Sequence, residues 1–299
     1  MSRLAALLLR HFRALKRDSL LLNSFFLFLS TATMAGFGFI FWLLVAHFYP
    51  PSLVGVASTL ISAMNFIAYL ALLGFDTTFI KFLPGSQRRS EQIDTGLLLV
   101  GGAALLAATG YAFIAPRLAP GLHVLSDHWY FMVGYVFLVT GAAVNLVTDS
   151  IFIAYRSAKY NFFIDGLTAS SLQVVLPMAL VGLGAYGVFA ASGAAAFIAM
   201  LVSIVVLMRR FGYQPRLAIN RTILREVARY SFINYIANLL NVVPTLVLPL
   251  IIINKLGTAA AGYYYLAFMM ATLLYTIAHT LSQAMLAEGS YDEAALKPL

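Results

Sequence analysis

The sequence predicts an all-α protein, a polytopic transmembrane helical bundle of about eight spans. The first observation is compositional: 62% of the 299 residues are hydrophobic, 10% are charged, and the mean hydropathy is +0.89. This leaves too little polar surface to cover a soluble globule. The second observation is a series of uncharged apolar runs long enough to cross a bilayer as helices. The third is that the layout of the first two runs returns near the C-terminus.

The N-terminal segment, residues 1–19, is basic and amphipathic. Its five cations alternate with leucines, a pattern typical of a helix that lies on anionic membrane lipids. A cleaved signal peptide is the rival interpretation. The apolar run that follows continues to Phe48, which is longer than a signal core, so we interpret it as a retained first span.

Eight spans are predicted, with proline- and glycine-containing breaks between them. They lie near residues 22–48, 53–80, 95–115, 129–155, 163–183, 186–208, 230–253 and 259–287. None of the connecting stretches is long enough to form a soluble domain with its own core.

An internal repeat organises these spans. Ser24 and Gly55 correspond to Ser231 and Gly262, 207 positions later, without a gap. Only four of the 32 aligned positions are identical, so the argument depends on the shared layout of span, break and second span. We therefore expect a cytoplasmic segment 1–19, a first six-helix bundle 20–210, a basic cytoplasmic link 211–229, and the first two helices of a second, truncated bundle in 230–299.

The basic residues predict the orientation. Of the 19 lysines and arginines, 17 fall in the N-terminal segment, the even-numbered links and the C-terminal tail, and only Arg117 and Lys255 fall on the other side. By the positive-inside rule, the N-terminus is cytoplasmic. The same distribution explains the net charge of +8 without nucleic acid as a partner.

Two acids occur within predicted spans, near their cytoplasmic ends. Asp149 lies two helical turns before Arg156, and Asp76 is followed by Lys81. Because a carboxylate within a membrane is costly, such residues are often functional. Two interpretations stay open: anchoring of the helix ends by these ion pairs, or a functional role at the mouth of a cavity, with Asp76 as a coupling acid.

The seventh predicted span carries Asn234, Asn238 and Asn241 on one face, before two prolines that would bend the helix. This face is typical either of a substrate path or of interhelical packing. The outward link between spans three and four contains His123, Asp127 and His128, but a metal site would need a further ligand, so no metal is predicted.

Enzymatic motifs are missing from the sequence. It contains no P-loop, GxSxG, HExxH or dinucleotide-binding fingerprint and no cysteine. No catalytic residue and no cofactor is therefore predicted.

Two segments resemble polysaccharide biosynthesis proteins of the oligosaccharide flippase type. The segment from Asn145 to Asn161 resembles their fourth span and its cytoplasmic link. Leu73-Gly74-Phe75-Asp76 and the stretch from Leu256 to Tyr263 resemble the end of the second span and the start of the eighth. The resemblance implies membership of the multidrug/oligosaccharidyl-lipid/polysaccharide exporter superfamily, whose members have two six-span bundles around a central cavity.

The resemblance also implies a function: moving a polyprenyl-pyrophosphate-linked oligosaccharide across the inner (cytoplasmic) membrane by alternating access. The partners would be the lipid-linked saccharide, membrane lipids, and H⁺ or Na⁺ as coupling ion. This sequence departs from the pattern, because it has only two spans of the second bundle and no lysine or arginine deep within a span. Phosphate partners are therefore expected at the cytoplasmic mouth, at Lys81, Arg156 and Arg229.

Two other functions stay open. A multidrug antiporter of the same superfamily shares the architecture and differs in its cavity residues. A membrane glycosyltransferase or polysaccharide polymerase would present acidic or Arg/His-rich catalytic loops, whereas the outward links here are short and nearly uncharged.

Overall fold

A computed structural model describes residues 19–118, 120–216, 218–220, 235–236, 240, 247–272 and 274. Within these residues the regular structure is helical, without β-strands, which confirms the predicted fold class. The predicted N-terminal amphipathic helix falls largely outside the described residues, as do Arg229, Asn234, Asn238 and Asn241.

The helices follow the apolar runs. They are α1 (Ser19–Phe48), α2 (Pro51–Ala71), α3 (Phe75–Phe82), α4 (Arg89–Leu118), α5 (Trp129–Ala154), α6 (Lys159–Ala179), α7 (Gly184–Phe211), α8 (Val247–Leu256) and α9 (residues 258–272). Short 3-10 turns at Pro120–Leu125 and Val181–Leu183 precede α5 and α7.

Six of these helices are long and apolar enough to cross a membrane: α1, α2, α4, α5, α6 and α7. They correspond to the first six predicted spans. The predicted count of eight is not confirmed, because α8 and α9 cover only parts of the last two predicted spans within the described residues.

The second predicted span, 53–80, is not one continuous helix. It is interrupted between α2 and α3, where Leu73 and Gly74 have φ angles of +51° and +79°. A left-handed residue cannot continue a right-handed helix, and glycine tolerates this conformation without steric cost. Asp76 therefore lies in the first turn of a new helix and not deep within a long one.

The core of the bundle forms around α5, which packs along α4 and α7. A stack of rings joins the three helices: the ring centroid of Tyr135 lies 5.7 Å from that of Tyr111 and 5.0 Å from that of Phe189. Leu106 and Phe137 point outward and are exposed, as expected of side chains that face lipid. The bundle is thus apolar on the outside, and its polar groups are mainly internal.

The start of α2 crosses the start of α9 at very short range. A Cβ atom added to Gly55 would collide with the carbonyl oxygen of Thr258, and one added to Gly262 would collide with the carbonyl oxygen of Pro51. Pro51 and Thr258, like Gly55 and Gly262, are 207 positions apart. The contact is therefore reciprocal between positions that the predicted repeat relates, as at a local two-fold axis.

The residues after α7, which we call the strap (residues 212–216 and 218–220), are fastened to the start of α4. The hydroxyl of Tyr213 donates to Oδ1 of Asp94 at 2.6 Å, and the backbone N–H of Arg216 donates to its Oδ2 at 3.1 Å. The amide of Asn220 donates to Oε2 of Glu91 at 2.8 Å. Asp94 is only 1% exposed, so both of its oxygens are satisfied by the strap and not by water.

Candidate functional site: a polar cavity within the bundle

A cavity of about 370 Å³ lies among α1, α2, α5, α6, α7 and α9. This volume is in the usual range for a small-ligand site. Its polar lining residues are Asn65, Tyr69, Asn145, Asp149, Asp165, Ser170, Gln173, Ser192 and Tyr265. Such a concentration of polar groups among membrane-spanning helices marks this cavity as the candidate site.

Two acids from different spans meet in the cavity. Asp149, on α5, and Asp165, on α6, both line this cavity, and their carboxyl groups interact electrostatically. The amide of Asn145 donates to Oδ1 of Asp165 at 2.7 Å. Asp149 lies five residues before the end of α5, and Asp165 six residues after the start of α6. At about 1.5 Å per residue, each acid lies about 8 to 9 Å inside its helix end.

Several oxygen atoms around these acids have no hydrogen-bond donor. They are Oδ1 of Asn145, Oδ1 of Asp149, Oδ2 of Asp165 and Oδ1 of Asn161, all buried. The amide nitrogen of Asn161 donates to the backbone oxygen of Asp149 at 3.2 Å. The amide oxygen of Asn161 has no donor. A buried acceptor without a donor is costly, and a cation close to these oxygen atoms would offset that cost.

The helix that carries Asp165 is irregular at this point. Residues Phe162–Ala169 form a π-helix between the α-helical parts of α6. The hydroxyl of Ser170 donates to the backbone oxygen of Asp165 at 2.7 Å, and that of Thr168 to the backbone oxygen of Phe163 at 2.9 Å. These side chains satisfy carbonyl groups of the wider turn. Because π-helical turns are rare and frequently lie at functional sites, the irregularity supports the assignment of the site.

Contacts between side chains of the cavity wall connect neighbouring helices. The ring centroid of Trp42 lies 4.4 Å from that of Tyr265, so α1 contacts α9 here. The amide of Gln173 donates to the hydroxyl of Ser192 at 3.2 Å and connects α6 with α7. The amides of Asn145 and Gln173 thus each form a hydrogen bond between neighbouring helices.

The structure places the other predicted site residues at the ends of helices. Lys81 and Arg156 are both exposed. Arg156 follows the end of α5 at Ala154 and has a φ of +51°, so the helical spacing that placed it on the same face as Asp149 does not apply. Asp149 contacts Asp165 instead. Asp76 lies near Tyr69, which interacts electrostatically with both Asp76 and Asp149.

Asp165 is the site residue that sequence analysis missed. The fifth span was predicted to begin at residue 163, which left Asp165 at the membrane boundary, where an acid needs no explanation. The span begins at Lys159, so Asp165 lies inside it. The sequence from Tyr160 to Leu167 contains five apolar or aromatic residues beside Asp165. An acid within such an apolar segment could have identified Asp165 as a site residue.

The outward link does not assemble a metal site. Among the described residues, no three histidine, aspartate or glutamate side chains come together as metal ligands. The backbone oxygen of His123 accepts a hydrogen bond from Ser126, and the ring of His128 stacks on that of Tyr130 at 4.8 Å. These contacts are those of an ordinary connecting loop.

A bundle with six apolar membrane-length helices and a polar, acid-containing cavity defines the class: a multi-pass helical membrane protein. Comparison with known families narrows this class. A family described as "Polysaccharide biosynthesis protein" matches residues 44–291, and the chain belongs to that family. Its members are usually transporters or flippases. Searches of curated proteins and of solved structures returned no match.

Proposed function

We propose that this protein is a flippase or exporter that moves a polyprenyl-pyrophosphate-linked oligosaccharide across the cytoplasmic membrane by alternating access. The observation that carries the proposal is the family match over residues 44–291 in a chain with six membrane-length helices. A polysaccharide precursor assembled on a lipid must cross the membrane, and a multi-pass bundle with internal polar groups suits that task.

The diphosphate of such a substrate needs cationic partners. Arg156 and Lys81 are exposed next to membrane-spanning segments, on the side predicted to be cytoplasmic. A planar guanidinium binds phosphate oxygens through two parallel hydrogen bonds, and an ammonium adds a compact charge. In our proposal, these two residues, together with Arg229, contact the diphosphate before it enters the membrane.

A reconstitution experiment tests the proposed transport. The purified chain is placed in liposomes that contain a fluorescent polyprenyl-pyrophosphate-linked saccharide in both leaflets, and an impermeant glycosidase is added outside. A flippase converts the inner-leaflet pool as well, so cleavage goes to completion, whereas protein-free liposomes and heat-inactivated protein stop at the outer-leaflet pool. Cleavage that stops there with the native chain would refute the proposal. Export of a lipophilic cationic dye instead would favour a multidrug antiporter.

We also propose a cytoplasmic N-terminus, on the basis of the 17-to-2 distribution of basic residues. Because the chain has no cysteine, single cysteines can be introduced into the native sequence. Ser52 and Ser126 are exposed on the predicted outer side, and Gln87 is exposed on the inner side. An impermeant thiol reagent added to intact cells is expected to label Ser52→Cys and Ser126→Cys but not Gln87→Cys. The reverse pattern would overturn the orientation.

A further inference from the structure

Asp149 and Asp165 bring two carboxyl groups from neighbouring helices into one cavity. An ionised carboxylate has only acceptor atoms, so two carboxylates form a hydrogen bond only if one of them is protonated. Two ionised carboxylates in one cavity would repel each other in a medium that screens charge poorly. One proton held between the two groups removes this repulsion and leaves the pair with one negative charge.

The two carboxyl groups are shielded from water, so a negative charge on the pair is costly. Asp165 is 6% exposed and Asn145 is 7% exposed, so water has little access to the centre of the cluster. Asp149 lines the cavity, yet its Oδ1 is buried without a donor, as is Oδ2 of Asp165. These two oxygens are acceptor sites that the described residues leave open. A second cation could therefore bind at these two oxygen atoms.

The groups that face the pair do not provide that charge. Tyr69, from α2, and Tyr265, from α9, are the other titratable side chains that line the cavity. No lysine, arginine or histidine lines it in the part of the chain that the structure describes. Tyr69 also interacts electrostatically with Asp76, from α3, which is another acid. The compensating charge must therefore come from a mobile cation.

We propose that Asp149 and Asp165 form the proton-binding site of this protein, and that gain or loss of the shared proton drives the change between its inward-open and outward-open states. Loss of the proton from the pair leaves two carboxylates that repel, which favours separation of α5 from α6. The π-helix of α6 provides a backbone that can rearrange by shifting its hydrogen bonds one residue. The role in transport rests on the function proposed above, but proton binding by the pair does not.

Infrared spectroscopy of the purified full-length chain tests the proton site without any substrate. A buried protonated carboxyl group gives a carbonyl band that disappears when the group ionises. The native chain is expected to show a pH-dependent band of this kind, and both Asp149→Asn and Asp165→Asn are expected to lose it. Asn145→Leu keeps both acids but removes a donor to Asp165, so it is expected to displace the pH midpoint of the band.

Asp94→Asn is the matched control. Asp94 is also a buried acid of the same bundle, but both of its oxygens accept hydrogen bonds from the strap. Its removal is expected to leave the band unchanged. Gel filtration of each variant establishes that it is folded. If either acid variant does not fold, the pH midpoint of the band in Asn145→Leu tests the assignment. A band that persists in both acid variants, or that Asn145→Leu leaves unmoved, would refute the assignment.

Sodium ions give a separate arm of the experiment. The titration is repeated in NaCl and in choline chloride at equal ionic strength, and the same midpoint is expected in both. A midpoint that moves with sodium concentration would identify a sodium site and overturn the choice of proton.

Liposomes with and without a pH gradient then test the coupling. The gradient is expected to accelerate cleavage of the lipid-linked saccharide by the native chain, but not by Asp165→Asn. If the chain has no flippase activity under any gradient, the proposed function fails while the spectroscopic result stands. If the native chain transports and Asp165→Asn still responds to the gradient, the coupling role fails.

Discussion

The crossing of α2 and α9 gives the sharpest test of the structure. Gly55→Ala would place a methyl group against the carbonyl oxygen of Thr258, and Gly262→Ala would place one against that of Pro51. A backbone oxygen cannot rotate away as a side chain can, so the two helices must move apart. Overpacking of this kind costs up to about 3 kcal/mol, and replacement of a helical glycine by alanine returns about 1 kcal/mol. We therefore expect each variant to lose about 2 kcal/mol of stability.

The two substitutions act on the same contact, which makes their combination informative. Once one methyl group has separated the helices, the second has room, so the double variant is expected to lose little more than either single variant. Gly102→Ala is the matched control, because nothing lies within 4 Å of a Cβ atom at that position of α4. It is expected to keep or slightly raise the stability of the chain.

Tryptophan fluorescence during thermal unfolding measures these effects. Trp42 is 5% exposed and contacts Tyr265 of α9, whereas Trp129, the other of the two tryptophans, is 76% exposed. A Trp129→Phe background therefore reports on the α1–α9 contact alone. A loss of about 2 kcal/mol corresponds to a fall in Tm of roughly 4 to 8 °C. An unchanged Tm for Gly55→Ala, or strictly additive losses in the double variant, would refute the reciprocal crossing.

Two further predictions concern the predicted cytoplasmic side. Tyr213→Phe leaves Oδ1 of the buried Asp94 without this donor and is expected to cost about 1 to 3 kcal/mol in thermal unfolding. Burial, together with the hydrogen bond to Asp94 and its charge, raises the pKa of Tyr213 above its ordinary value of 10.0. The difference in stability between the native chain and Tyr213→Phe is therefore expected to be largest below about pH 10 and to vanish as the pH rises through the raised pKa. A difference that stays constant at high pH would contradict this. Arg156→Lys keeps the charge but loses the paired phosphate contacts, so we expect normal membrane levels with slower saccharide cleavage in liposomes. Parental cleavage by Arg156→Lys, combined with less folded protein for Arg156→Ala, would show that Arg156 only anchors the helix end.

The spans were predictable because hydropathy is a local property. Each of the first six predicted spans corresponds to a membrane-length helix, and α4 and α6 begin several residues earlier than predicted. The break at Leu73 and Gly74 was not predicted, since a single glycine in an apolar run is compatible with a continuous helix. The π-helix was not predictable either, because eight residues are too few to distinguish its period from that of an α-helix.

The candidate site was only half predictable. Asp149 was identified from the sequence as an acid within a span, but its partner was expected to be Arg156, seven residues along the same helix. The actual partner, Asp165, comes from the next helix, and contact between helices depends on how each is rotated about its axis. Residues such as Asn145 and Gln173 show no sequence signal that separates a cavity-lining amide from a packing one. Their role became apparent only from the cavity that they line.

The strap has a consequence for how the chain assembles. It holds Asn220 against Glu91 of α4, so 15 residues separate this attachment from Tyr235, whereas 24 residues separate Phe211 from Tyr235. Fully extended, these lengths reach about 50 Å and about 80 Å. The effective concentration of tethered groups falls as about the three-halves power of the length of the connection, so the local concentration of the following helices near the first bundle is higher by roughly twofold. Fastening the strap first would thus accelerate the encounter that brings Gly262 to Gly55.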